Sequence, residues 1–259
     1  MKIARRSFLA GSLASGALTS LGCSAAPARA PKGGALVHVM GTIHRRHRTS
    51  TPYSLAVFKE AVRKAAPDVI LTEIPPQRAE RALREFRETG TIQEPRTRVF
   101  PEYTDVIFPL AEELGFRILG TAAWTSEIAQ SRRAALKRIQ DDPARADQWA
   151  EHRAATRAFA REVAGRSDDP EFIHTDAFDA LVKASREPYA RHFDADLGAG
   201  GWTQINAAHN ALIHAALDTI TGKGKRALIT FGTAHKYKIR ESLAYRQDIA
   251  LQDTQALFG

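Results

Sequence analysis

Short apolar runs alternate with helical periodicity along most of the chain. Residues 35–40 form a mostly apolar run that ends at Gly41, and residues 68–74 form a second run that ends at two prolines. Between them, over residues 53–65, apolar side chains recur at spacings of three and four. Short apolar runs indicate buried strands, whereas the three-and-four spacing indicates a helix. This part of the chain therefore predicts a β-α-β unit with parallel strands and a right-handed crossover.

The same alternation returns further along the chain. Residues 106–114 place apolar side chains on one helical face, and Gly115 separates them from a strand predicted at 116–120. A helix predicted over 202–217 precedes a strand predicted at 226–231. Strands that alternate with helices predict a three-layer α/β/α domain with a mainly parallel sheet. Ligands of such a domain bind beyond the carboxyl ends of the strands.

Residues 125–200 interrupt this alternation. They are rich in Ala, Arg and Asp, show helical periodicity and contain no run that predicts a strand. We therefore expect a single α/β domain over residues 31–259, with a largely helical insertion or cap at about 125–200. Loops and insertions carry much of the specificity of a fold, so we expect substrate selection to depend on this segment.

The first 28 residues differ in composition from the rest. Three basic residues precede an apolar run over 8–21 that contains no acidic residue. This composition is typical of a signal peptide, and residues 5–9 resemble the twin-arginine export pattern. We expect cleavage after Ala28 and export by the twin-arginine machinery to the periplasm or the extracellular space. Cys23 lies in an imperfect lipoprotein box, which leaves a lipid anchor at this residue open.

Composition narrows the classes of protein that remain. The chain has 259 residues, of which 44% are hydrophobic and 25% charged, as in ordinary globular proteins. No window beyond residue 30 holds the roughly 18 uninterrupted apolar residues of a membrane span. Cleavage would remove Cys23, the one cysteine, and with it any disulfide or thiolate chemistry. The formal net charge of +8 comes from mixed charges rather than one basic stripe, so we expect no nucleic-acid partner.

Two predicted strands end in the same G-x-x-H motif, which contains Gly41 and His44 in the first strand and Gly232 and His235 in the last. Glycine lets the chain turn sharply at these points. Glu73 ends the second predicted strand, directly before the prolines. Because the ligands of parallel sheets bind at the carboxyl ends of the strands, we expect the two histidines and the glutamate to converge.

Two imidazoles and one carboxylate suit a divalent transition metal and leave positions open for water and substrate. A bound cation lowers the pKa of its water to about 7 and so makes it a nucleophile. His44, Glu73 and His235 are therefore predicted to bind a metal, with Mn, Co and Zn left as alternatives, and to carry catalysis. Glu73 as a general base is one form of this hypothesis.

Structural roles are the alternatives to catalysis. Either histidine is able to serve as a hydrogen-bonded residue at a strand end. The non-catalytic alternative for Glu73 is an ion pair with Arg45 or Arg46. His47 lies among arginines, and we expect it to be solvated rather than a further metal ligand.

Together these motifs resemble the TraB/GumN/TIKI family of the erythromycin-esterase-like and ChaN-like superfamily. The resemblance covers most of residues 35–120 and 202–245, and residues 100–103 are similar to an aromatic and tyrosine segment of that superfamily. It implies metal-dependent hydrolysis of a peptidase or esterase type, with metal or catalytic roles for His44, Glu73 and His235. Tyr103 is then a candidate catalytic proton donor to an oxyanion, with packing of its ring at a helix start as the alternative.

The chain departs from this family on the helix before the last motif. Relatives often carry an arginine there, whereas this helix offers only neutral polar side chains, among them Asn206 and His209. These two residues, with Gly41 and Gly232 of the motifs, are the predicted contacts for a small-molecule or peptide substrate. Two other functions remain open: a non-catalytic haem- or metal-binding envelope protein of the ChaN-like type, and an interaction module with a decayed site.

Overall fold

A computed structural model describes residues 33–259. The predicted signal peptide at 1–28, its twin-arginine pattern and Cys23 lie outside the described residues. No helix within the described range is long and apolar enough to cross a membrane.

The centre of the fold is a parallel sheet of five strands in the order β3-β2-β4-β1-β5. The strands are β1 (Ala35–Thr42), β2 (Val69–Thr72), β3 (Arg117–Gly120), β4 (Arg226–Gly232) and β5 (Ile249–Leu251). The first four were predicted from their apolar runs. β5 was missed because it is only three residues long, which is too short for a periodic signal.

Helices connect these strands. The α-helices are α1 (Leu55–Ala65), α2 (Pro76–Thr89), α3 (Phe108–Leu114), α4 (Ser126–Asp141), α5 (Ala146–Glu162), α6 (Pro170–Ile173), α7 (Asp176–Leu197), α8 (Trp202–Asp218) and α9 (Thr233–Leu243). A π-helical turn at Glu102–Ile107 leads into α3. Helix α2 was not predicted, because its prolines indicated only a strand end. Pro76 is the first residue of that helix, where a missing N–H costs little.

The sheet has helices on both faces. Along β4, Leu228 belongs to an apolar cluster with α1, α2 and α3, whereas the next residue, Ile229, belongs to a cluster with α8 and α9. Both side chains are fully buried, and each such burial stabilises the fold by roughly 1.5–3 kcal/mol. This arrangement confirms the predicted three-layer α/β/α fold, and the described sheet is entirely parallel.

The insertion at 125–200 is helical, as predicted, and comprises α4 to α7. It has a small core of its own, formed by Ala135, Ile139, Tyr189, Phe193 and Leu197. Trp202 at the start of α8 packs against both this cluster and the larger cluster of the sheet. The insertion therefore lies against the sheet domain near the start of α8.

Strand register brings three loop starts together. Thr42, the last residue of β1, pairs with Gly232, the last residue of β4. Thr72, the last residue of β2, pairs with Thr230 of the same central strand. Two residues along a strand span about 6.6 Å, so all three strands end at nearly the same level. The residues that follow them leave one edge of the sheet side by side.

Candidate functional site

Three predicted residues meet at this edge. The Nε2 atom of His44 lies 3.8 Å from Oε2 of Glu73, and Nε2 of His235 lies 3.8 Å from Oε1 of the same carboxylate. Each side chain follows a different strand, and β4 lies between the other two. We call these three residues the His/Glu/His cluster. Glu73 forms no ion pair with an arginine in the described part of the chain, in contrast to the Arg45 or Arg46 alternative.

His44 is held from behind by a second carboxylate. Its Nδ1 atom lies 2.7 Å from Oε1 of Glu102, which is fully buried. His44 itself has a left-handed backbone with φ 51°, a conformation that is uncommon outside glycine and often found at functional sites. Burial lowers the pKa of His44, but the hydrogen bond and charge of Glu102, together with the charge of Glu73, outweigh this effect and raise the pKa.

Glu102 was not among the residues assigned to the site by sequence. It lies in the π-helical turn, a type of irregularity that is frequent at functional sites. Its second oxygen, Oε2, has no hydrogen-bond partner among the described residues. The one sequence signal that could have identified Glu102 was its position beside Tyr103, in the segment 100–103 that resembles the family.

The neighbouring turn is tied down by His47, which we expected to be solvated. His47 is buried, and its Nε2 accepts a hydrogen bond from the Ile43 N–H at 3.1 Å. Its Nδ1–H donates to the Tyr53 carbonyl at 2.8 Å. The expectation was wrong because these two backbone partners lie within six residues and draw the ring inward. His47 therefore shapes the turn that carries His44.

The tautomer of His235 follows from the hydrogen bonds of Asn206. The Asn206 amide nitrogen donates to the Trp202 carbonyl at 2.7 Å, which leaves Oδ1 facing His235 Nδ1 at 2.8 Å. Because Oδ1 can only accept, His235 must carry its proton on Nδ1. Its Nε2 lone pair then faces Glu73. Burial, and then electrostatic interactions with His209, Arg186 and His44, lower the pKa of His235 well below its usual value, so the ring is neutral.

Backbone and hydroxyl groups hold Glu73. Its Oε2 accepts the Gly232 N–H at 2.7 Å, and its own N–H donates to the Tyr103 hydroxyl at 2.9 Å. Burial raises the pKa of Glu73, while the charge of His44 and the Gly232 bond oppose the rise. A carboxylate with a raised pKa is a better proton acceptor near neutral pH.

Tyr103 lies beneath the cluster rather than in it. Its ring is fully buried, and its hydroxyl donates to the Thr230 carbonyl at 2.9 Å while it accepts the Glu73 N–H. The hydroxyl proton is therefore committed to the backbone. Burial, together with the charges of Glu102 and Glu73, raises the pKa of Tyr103 well above its usual value. In place of the predicted proton donor, the structure gives Tyr103 the role of a brace between β2 and β4.

The two motif glycines have different surroundings. A Cβ on Gly232 would lie 2.6 Å from His44 Nε2, so this glycine forms the floor of the cluster. A Cβ on Gly41 would lie 3.2 Å from the Thr233 Cα, so this glycine allows β1 to approach the start of α9. The Gly41 N–H donates to His174 Nε2 at 3.0 Å, so the N–H of this predicted substrate contact is bonded within the protein.

Asn206 and His209, the other predicted substrate contacts, are almost completely buried, at 2% and 1% exposure. Asn206 orients His235, as described above. His209 Nδ1 accepts the Ala123 N–H at 2.8 Å, and burial lowers the pKa of His209 to about 4. Its ring centre lies 5.3 Å from that of His235. These two residues support His235 from behind instead of lining the substrate space.

A cavity of about 360 Å³ lies over His44 and His235. Its far wall includes Phe159 and Phe178 of the insertion together with Arg186. The Arg186 guanidinium lies 4.9 Å from the Trp202 ring, and Trp202 stacks on His235 with 4.9 Å between ring centres. The insertion thus brings an arginine to the site, although α8 itself has none near its start. Sequence analysis missed Arg186 because it is 49 positions from His235 along the chain.

The residues fit a divalent cation in their donor types. Each histidine Nε2 lies 3.8 Å from a Glu73 oxygen. One metal ion bonded to both atoms at about 2.1 Å can span up to roughly 4.2 Å, so each pair is close enough to share an ion. Glu102 and Asn206 bind the remote nitrogens of the two histidines, as outer-shell groups of metal sites do. No three His, Cys, Asp or Glu side chains between residues 33 and 259 form a ready-made metal site, so binding would need a small closure of the cluster.

Comparisons with known proteins add no family assignment. No protein-family model, curated protein or solved structure matches this chain. The resemblance to the TraB/GumN/TIKI family therefore stays a prediction, and the function has to be argued from the site itself.

Proposed function

We propose that this chain is a hydrolase of the TraB/GumN type that cleaves a peptide or ester bond with water activated at the His/Glu/His cluster. One observation supports this most directly. The His235 lone pair and the Glu73 Oε1 atom face each other at 3.8 Å, although both are acceptors. Two acceptors at this distance are stabilised by a shared water or cation between them. Either occupant would be placed at the mouth of the cavity.

In the proposed reaction, one proton of the water passes through Glu73, and the bond from the carbonyl carbon to the leaving atom is replaced by a bond to the water oxygen. Glu73 accepts a proton from the water, whose oxygen attacks the carbonyl carbon of the substrate. The bond to the leaving nitrogen or oxygen then breaks, and Glu73 returns the proton to that atom. Neutral His235 orients the water through Nε2. In the metal-free form, His44 keeps positive charge beside the developing oxyanion, which is a favourable arrangement in a buried site. With a cation bound, His44 would be neutral and the cation would supply this charge.

A divalent cation, with Mn, Co and Zn as alternatives, is part of this proposal. His44 Nε2, His235 Nε2 and the Glu73 carboxylate would hold it. When bound, it would lower the pKa of the reacting water and polarise the substrate carbonyl. Glu102 and Asn206 would fix the two imidazoles in the required orientation.

The decisive test is Glu73→Gln. Glutamine keeps an oxygen for the Gly232 N–H but cannot take a proton, so we expect turnover to fall by at least about 10²-fold while the fold is preserved. Turnover is measured on chromogenic peptides and p-nitrophenyl esters, with circular dichroism as the folding check. Glu112→Gln is the matched control, because Glu112 is exposed on α3. Equal turnover of Glu73→Gln and wild type would refute the proposal.

Metal analysis separates hydrolysis from storage. We expect one equivalent of a divalent metal in wild-type protein purified without chelator, and its loss in His44→Ala and His235→Ala. Metal-loaded wild type that cleaves neither substrate panel would contradict hydrolysis and favour the ChaN-like storage function. A Soret band in the purified protein would identify haem as the stored group.

A further inference from the structure

A second cavity lies on the same edge of the sheet, beside β2 and β3. It has a volume of about 410 Å³ and is lined by four arginines and a tryptophan. Arg78 comes from the first turn of α2, Arg96 from the following loop, and Arg132 and Arg133 from α4. Trp124 follows β3. We call this cavity the arginine pocket.

Most of its positive charge is not neutralised by the protein. Arg78 is paired with Glu94, whose Oε1 lies 2.6 Å away. Within residues 33–259, by contrast, Arg96, Arg132 and Arg133 form no ion pair with a carboxylate. Glu127 in the first turn of α4 is a further acidic group whose charge interacts with Arg78. The charge of Glu73 also interacts with Arg96. After Arg78 and Glu94 cancel, three arginines outweigh the two glutamates.

One of these arginines is held in place by neutral groups. Arg132 donates to the Tyr189 hydroxyl at 2.7 Å, and its guanidinium lies 6.0 Å from the centre of the Trp124 ring. A guanidinium held this way loses little conformational freedom when it binds an anion. The bond uses one of its five N–H groups and leaves the others for a ligand.

The start of α4 adds a second source of positive potential. This helix has 16 residues, and Thr125 and Ser126 at its amino end line the pocket. Helix amino ends attract phosphate groups through their dipole. At this end the Ile128 N–H already donates to the Thr125 hydroxyl and Glu127 lies in the first turn, so the arginines supply most of the attraction. Arginine forks match the oxygens of phosphate. One cavity therefore receives arginines from two helices and a loop, together with the amino end of a helix.

The arginine pocket is close to the His/Glu/His cluster but separate from it. The Trp124 ring lies 6.3 Å from the His209 ring, which in turn lies 5.3 Å from His235. His209 is buried, and the two cavities share no lining residue. A ligand in the arginine pocket would occupy neighbouring space without contact to Glu73.

We propose that the arginine pocket binds the phosphate group of a small organic phosphate. Its volume is in the range of roughly 300–1,000 Å³ that is usual for small-molecule sites, which leaves room for an organic group beyond the phosphate. Trp124 offers that group an aromatic surface. This proposal does not depend on whether the His/Glu/His cluster hydrolyses a substrate.

Calorimetric titration with phenyl phosphate tests the pocket. The full folded chain is titrated at low salt with a chelator present, so that phosphate cannot bind through a metal ion. We expect binding that is weakened at least about fivefold by Arg133→Gln and at least about tenfold by Arg96→Gln/Arg133→Gln. Arg138→Gln is the matched control, because Arg138 is also exposed on α4 and does not line the pocket. It should change affinity less than about twofold.

Two further arms locate and identify the ligand group. Glu73→Gln should bind phenyl phosphate at least as tightly as wild type, because Glu73 does not line the pocket and its charge, which interacts with Arg96, disfavours an anion there. Inorganic phosphate should bind more weakly than phenyl phosphate, and benzoate should bind more weakly still. The proposal is overturned by no binding at millimolar phenyl phosphate, by equal losses in Arg133→Gln and Arg138→Gln, by weaker binding in Glu73→Gln, or by benzoate binding as tight as phenyl phosphate.

Discussion

At the scale of single residues, the chemistry of the site depends on which nitrogen carries a proton. Asn206 assigns the His235 proton to Nδ1, and Glu102 accepts the bond from Nδ1 of His44. Both histidines therefore present Nε2 to Glu73, although their pKa values move in opposite directions. Burial lowers the pKa of both histidines, but the Glu102 carboxylate outweighs it at His44, whereas His235 has only a neutral amide behind it.

Removal of the amide behind His235 tests this argument. In Asn206→Ala, the ring is free to rotate and to change tautomer, so we expect a decrease of about 10–100-fold in metal affinity or turnover. KM should stay close to the wild-type value, because Asn206 does not line the cavity. Asn210→Ala on the same helix is the control, since Asn210 donates to the Lys238 carbonyl and not to the cluster. Equal turnover in both variants would count against the tautomer argument.

At the scale of elements, helix α7 connects the insertion to the site. Arg186 on this helix stacks on Trp202, and its buried Nε has no hydrogen-bond partner among the residues that the structure describes. Burial lowers the pKa of Arg186, with a smaller contribution from the charge of Arg132. Arg186 is half-buried, and a partly desolvated guanidinium without a carboxylate partner costs stability. Its position in the cavity wall suggests that this cost is tolerated for function.

Arg186→Met separates the two effects. Methionine retains much of the aliphatic volume but removes the half-buried charge, so we expect an unfolding midpoint in urea equal to or above that of wild type. Turnover on the substrate panels should decrease because the cavity loses its fixed positive charge. Arg191→Met is the control, as Arg191 is exposed on the same helix. A lower midpoint with full turnover would show that Arg186 serves the fold alone.

At the scale of the whole molecule, the insertion and the sheet are joined through a buried histidine. His174 follows α6, donates from Nδ1 to the Pro170 carbonyl at 2.6 Å and accepts the Gly41 N–H of β1 at 3.0 Å. Burial lowers the pKa of His174 from 6.5 to about 3. The folded chain therefore excludes a proton that the unfolded chain binds below pH 6.5.

This linkage predicts a loss of stability in mild acid. The contribution of His174 is present above pH 6.5 and is lost as the pH falls towards about 3, at up to about 1.4 kcal/mol per pH unit. Urea unfolding at pH 7, 5.5 and 4.5 should show a shallower pH slope for His174→Gln than for wild type, with lower stability at pH 7. Parallel slopes would mean that other groups cause the acid sensitivity.

Local signals in the sequence were sufficient for most of the elements. Apolar runs predicted β1 to β4, and the three-and-four spacing predicted the helices beside them, because both periodicities arise from neighbouring residues. Helix α2 was not predicted, because Pro76 ends the apolar run of the second strand and is also the first residue of the helix. The positions of His44, Glu73 and His235 after apolar runs were likewise visible in the sequence.

Tertiary structure decided what those residues can do. The strand order placed β4 between β1 and β2, and the register brought two distant histidines to one carboxylate. The partners that set proton positions and charge, Glu102, Asn206 and Arg186, come from separate segments. Hydrogen bonds and burial act over a few ångströms in space, whatever the distance along the chain. The sequence by itself therefore determined the elements and the candidate residues, and only the folded chain determined their tautomers, their pKa shifts and the arginine pocket beside them.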